Sequence, residues 1–120
     1  PCSVENFSDL IVELLERPNL NGLFHWSGSE EISRYELGVR ILENFGINSK
    51  NIIAGKIKDM FTKDSNRQSH LSFNLEPLAS KVRTRPLSID QQLSELKIPT
   101  NLYSWYREFA DDPSCYVHRF

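Results

Sequence analysis

An α/β fold is the architecture this sequence predicts, and three observations carry the expectation. The apolar run Gly22-Leu23-Phe24-His25-Trp26 stops at Ser27-Gly28 and feeds the amphipathic stretch Ile32-Ser33-Arg34-Tyr35-Glu36-Leu37. That order is a strand, a turn and a helix, one βα unit of an open sheet. Helical patterns flank the run on both sides, which is the cover a buried parallel strand needs. No Gly-rich phosphate loop precedes a helix anywhere in the chain, so the βα unit stands without its usual nucleotide-binding partner.

Ser3 is placed to cap a first helix from Val4 to about Arg17, with Phe7, Leu10, Ile11, Leu14 and Leu15 on one face at helical spacing. Pro18-Asn19-Leu20-Asn21-Gly22 ends it, because Pro and the Asn/Gly cluster favour turns. Leu23 to Trp26 reads as a short buried strand. Ser29 or Glu30 opens a second helix to about Phe45, with Tyr35, Val39, Leu42 and Phe45 on one side, Leu37 and Ile41 on another, and Gly46 as its stop. Asn51 to Ile57 reads as an apolar strand, Asp59 to Gln68 as an exposed polar loop, and His70 to Asn74 as a half-buried strand of period two. Ser88 with Gln91 resembles a capping box opening a helix through Leu96, closed by Pro99. Leu102, Tyr103, Trp105, Tyr106 and Phe109 form a last aromatic-rich helix or turn. Residues 1–110 are therefore expected to be one domain and residues 111–120 a tail without clear period.

A chain of 120 residues, 39% apolar and 25% charged, has room for a limited core, and 11% aromatic content argues against disorder. A net charge of -2 gives no basic field for nucleic acid. No apolar run approaches the length of a membrane span. Cys2 and Cys115 lie far apart, the usage of a reducing, cytoplasmic compartment, although a bridge between them stays open. Cys115-x-x-His118 lacks the second ligand pair that structural zinc needs, so no metal is expected. A first residue that is Pro1 rather than Met suggests a piece of a longer chain or a processed product.

With those residues in place, the order helix, Gly-x-Phe-His-Trp-Ser-Gly, Ser-Arg-Tyr-Glu helix, strand, polar loop, short strand and terminal helix resembles the C-terminal half of extended short-chain dehydrogenase/reductases. The dTDP-4-dehydrorhamnose reductase-like group is the nearest, and within it the branch of regulatory beta subunits of methionine adenosyltransferase. The resemblance runs from about Val4 to about Leu96 and is sharpest from Gly22 to Phe45. It implies the substrate-binding part of a Rossmann-like fold, lacking the N-terminal nucleotide-binding half, with NADP as a cofactor of the full-length parent and none bound by this stretch alone. The family's catalytic Tyr-x-x-x-Lys, in which the lysine tunes the tyrosine for proton transfer, has no counterpart: no tyrosine here has Lys four positions on. Arg67-Gln68 stands where the family usually has Arg-Pro.

Trp26 ends the strand beside the ligand cleft that the resemblance implies, although tryptophan is more often core. Arg67, Arg83 and Arg85 could hold a phosphate through their forked guanidinium groups, against the plainer reading of solvated arginines. His25 alternates away from Phe24 and Trp26, and packing is its simpler role. Tyr35 and Glu36 read as packing and surface charge, and no catalytic residue is assigned. The aromatic, His-containing end Cys115-Tyr116-Val117-His118-Arg119-Phe120 is like that of the regulatory subunits, which makes Tyr116, His118 and Phe120 candidates for contact with the methionine adenosyltransferase catalytic subunit. Two functions compete: a regulatory subunit in S-adenosylmethionine biosynthesis, and the substrate-binding half of an NADP-dependent sugar-nucleotide reductase.

Overall fold

The computed structural model describes residues 1–56 and 70–116, and divides the chain into two compact units. The first comprises Pro1–Glu31 and His70–Gln92, the second Ile32–Ser69 and Leu93–Phe120. Five α-helices are described: α1 (Val4–Leu15), α2 (Arg34–Asn44), α3 (Glu76–Ala79), α4 (Ile89–Glu95) and α5 (Tyr103–Phe109). The division falls within α4, between Gln92 and Leu93.

In the first unit α1 starts where the sequence places it. Ser3 accepts from the Asn6 amide at 3.3 Å, and Glu5 puts a negative charge in the first turn, where the helix dipole favours it. Leu10, 2% exposed, makes a small core with Leu78 on α3 and Val82 after it. Leu14, Leu20, Phe24 and Trp26 pack against that core. The Ser88–Gln91 capping box is present: the Ser88 amide donates to Gln91 Oε1 at 2.9 Å and the Gln91 amide to Ser88 Oγ at 3.2 Å. Gly28 is buried; its amide donates to the Pro1 carbonyl at 2.7 Å. A Cβ there would strike that carbonyl oxygen and lie 2.5 Å from Gln92 Nε2, so only glycine fits.

In the second unit α2 opens on a reciprocal box between Ser33 and Glu36 and closes at Gly46, whose φ is 65°. The Ile47 amide donates to the Leu42 carbonyl at 2.9 Å and the Gly46 amide to the Glu43 carbonyl at 3.0 Å, the paired bonds of a Schellman stop. Tyr106 of α5 is 1% exposed, and its hydroxyl donates to the Phe45 carbonyl at the end of α2.

The α/β expectation is overturned. Among the described residues there is no strand, and the fold is helical. The Rossmann-like, substrate-binding sheet fragment is therefore not what these residues form. At Leu23–Trp26 the alternation survives as packing: Phe24 and Trp26 meet the core, while His25 points out and Leu23 is 87% exposed. Alternation specifies which side chains face a core; it does not supply the neighbouring backbone that makes a strand. His70–Asn74 likewise lacks a ladder, and Ser49–Asn51 winds into a 3₁₀ turn at the start of the apolar run expected to be a strand. Helix α2 starts at Arg34 rather than near Ser29, because Ser33 with Glu36 is the better cap.

Candidate functional site

The buried face of α1 carries Asn6, Leu10 and Glu13, and the two polar members of that row read the backbone that follows Val82. Glu13 is 5% exposed. Its Oε1 accepts from the Arg83 amide at 2.6 Å and lies 3.0 Å from Arg17 Nη2. Its Oε2 accepts from both the amide and the hydroxyl of Thr84, each at 2.7 Å. Burial alone would push this carboxyl up, but the Arg83 and Thr84 amides, the Thr84 hydroxyl and the Arg17 charge outweigh it and hold it at about 2. A carboxylate so far below neutrality, with both oxygens engaged, is unsuited to general-base work.

Asn6 continues the same clasp about two turns earlier. Its Nδ2 donates to the Arg85 carbonyl at 2.9 Å, and its Oδ1 accepts from the Trp26 indole at 3.0 Å. The half-buried thiol of Cys2 lies 3.7 Å from the same oxygen, and burial pushes it up against the lowering effect of the nearby N-terminal charge.

Three of the sequence-designated residues, Trp26, Arg83 and Arg85, are thus brought together in the first unit around α1. Their polar groups are taken up internally. The Arg83 guanidinium pairs with Glu16 at 2.9 Å and approaches Glu13 at 3.6 Å; that of Arg85 donates to the Ala79 carbonyl at 3.2 Å. Both guanidinium groups are thus engaged by oxygens of the chain itself. Arg67 lies outside the described residues.

His25 stacks on Phe73 with ring centroids 4.9 Å apart, and the Lys81 ammonium sits 5.3 Å from the centroid of the Phe24 ring. Among the described residues no group of three or more His, Cys, Asp or Glu side chains is placed to hold a metal ion.

Tyr116 belongs to the second unit, while His118 and Phe120 lie outside the described residues. Its ring meets Phe45 edge-on at 5.2 Å and Tyr106 at 5.7 Å, and its hydroxyl accepts from the Ile98 amide at 2.8 Å. The approach to it is tied down as well: the Asp112 amide donates to the Gly46 carbonyl at 2.8 Å, and Asp111 Oδ2 accepts from the Asn48 amide at 2.5 Å.

Sequence reasoning missed Asn6 and Glu13, although a signal was available. Asn6, Leu10, Glu13 and Arg17 follow the i, i+4, i+7, i+11 spacing of one helix face, with a leucine between the two polar residues. It also missed Glu30, whose Oε2 accepts from the Ile89 amide at 2.6 Å and holds the start of α4.

The class these features define is a helical chain whose clustered polar side chains bind its own backbone. No family model matches the sequence, and no solved structure matches it. Among curated proteins it is similar to methionine adenosyltransferase 2 subunit beta: 29% identical over 56 residues to that of Xenopus laevis, and 30% over 56 residues to those of Rattus norvegicus and Mus musculus. The matched stretch is 43% of this chain and 17% of each relative.

Proposed function

We propose that this chain acts as a regulatory rather than a catalytic element, associated with methionine adenosyltransferase and so with S-adenosylmethionine biosynthesis. The observation that carries the reading is the similarity to subunits bearing that name in several vertebrates. The site chemistry is compatible with it, since the clustered carboxylate and arginines are engaged with the chain itself. The partner in this reading is the catalytic subunit, contacted through Tyr116, His118 and Phe120, with Tyr116 fixing the base of the segment among Phe45 and Tyr106. The competing reading, a sugar-nucleotide reductase half, depends on an α/β sheet that the described residues do not form.

The test is calorimetric titration of the chain, with and without residues 117–120, into the methionine adenosyltransferase catalytic subunit, alongside its rate of S-adenosylmethionine formation. Saturable binding that deletion weakens by about 2 kcal/mol or more, the usual loss of aromatic anchors, is the expected result. Absence of binding in both forms overturns the regulatory reading, and undiminished binding after deletion removes the segment from the interface.

A further inference from the structure

Helix α1 packs against the expectation of its own composition. It buries Asn6 and Glu13 beside Leu10, and leaves Val4, Phe7, Ile11 and Leu15 on the outside. At 100° per residue these four fall within about 80° of arc, a continuous stripe roughly 16 Å long. Val4 is 77% and Leu15 78% exposed, and Val12 broadens the stripe on one side. Soluble chains seldom leave such a ridge uncovered unless something docks there.

The border of the stripe says what kind of surface docks. Glu5 and Asp9 stand one turn apart on the Val12 side, both exposed, and neither has a cationic partner among the described residues. Like charges at this spacing repel, so their neutralisation by a partner would add to binding. Glu16 continues the same side, its charge already met by Arg83. A second copy of this chain is a poor occupant. Antiparallel α1 pairs would bring the Glu5 and Asp9 rows together. Parallel pairs would set them against the Phe7 and Leu14 side, and α1 carries no Lys or Arg. We propose that the exposed face of α1 is a docking surface for a different protein segment: an amphipathic helix with an aliphatic stripe bordered by Lys or Arg. The proposal stands apart from the regulatory reading and does not depend on it.

The full chain is titrated with two synthetic amphipathic peptides that share a leucine stripe, one bordered by lysines and the other by glutamates. The lysine peptide is expected to bind one to one, about tenfold or more tighter than the glutamate peptide, and to weaken as salt is raised. Ile11→Lys should reduce that binding by about tenfold or more with the far-UV circular dichroism unchanged. Leu15→Gln serves the same purpose if Ile11→Lys disturbs the helix. The double exchange Glu5→Lys with Asp9→Lys should reverse the preference between the peptides. Failure of both peptides to bind, equal binding of the two, or a preference that the charge exchange leaves in place overturns the proposal. So does self-association in sedimentation, or binding to phosphatidylcholine vesicles, that Ile11→Lys abolishes, since the occupant would then be a second copy or a lipid surface.

Discussion

The first unit ties distant parts of its chain together with a carboxylate and an amide side chain; the second does it mainly with rings, beside an exposed Asp111 carboxylate that accepts from the Asn48 amide. Glu13 and Asn6 on α1 hold the backbone of Arg83, Thr84 and Arg85, seventy and more residues away. Phe45, Tyr106 and Tyr116 meet edge to face, and a phenol hydroxyl reaches the last carbonyl of the α2 cap. Charge-assisted bonds are directional and depend on protonation, whereas ring packing depends mainly on area removed from water and is indifferent to acid. Two halves of one short chain are thus expected to respond to different stresses.

The largest effect should come from the rings. Tyr106→Ala removes a fully buried ring and its bond to Phe45, and is expected to cost about 3–5 kcal/mol in urea unfolding, with loss of near-UV circular dichroism. If the second unit tolerates it, the ring cluster is not what holds that unit.

Glu13 gives the next contrast, through pH. The folded carboxyl sits at about 2 against an ordinary 4.5, so the unfolded chain binds this proton more readily. Its contribution is complete above about pH 4.5 and is lost as pH falls toward about 2. Glu13→Gln should flatten the acid limb of unfolding and free the amides of Arg83 and Thr84 to exchange hydrogen faster. In the second unit, Ser33 bonds hold the exposed Glu36 carboxyl below its usual range, a smaller contribution of the same sign. An acid limb unchanged in Glu13→Gln would erase the distinction drawn between the units.

Asn6→Ala strands the Trp26 indole and the Arg85 carbonyl. A loss of about 1–3 kcal/mol is expected, with a change in Trp26 emission that separates loss of this bond from general unfolding. The smallest effect belongs to Ser33→Ala, which removes one N-cap acceptor of α2 and should lower stability by about 1 kcal/mol, read as a modest fall in melting temperature with the Phe45 cluster intact.

Legibility from sequence followed the same division between local and distant causes. The Ser3 cap, the Gly46 stop and the Ser88–Gln91 box each act within a few residues, and each was found. Strands at Leu23–Trp26 and His70–Asn74 needed partners elsewhere in the chain, which an alternation of side chains cannot supply. The orientation of α1 has a related cause. Phe7, Ile11 and Leu15 outnumber Leu10 in hydrophobicity, yet the helix is oriented by what Asn6 and Glu13 bind seventy residues on. Arg83 and Arg85 were singled out for their guanidinium groups, while it is their backbone atoms that the clasp uses.

The chain has two tryptophans, and they fall one to each unit. Trp26 is half-buried with its indole hydrogen-bonded, and should emit at shorter wavelength than Trp105, which is exposed and lies 5.5 Å from the Phe109 ring. Each unit therefore carries its own optical reporter. Replacing either tryptophan with phenylalanine leaves a single-colour probe, so the melting of one unit can be followed while the other is still folded.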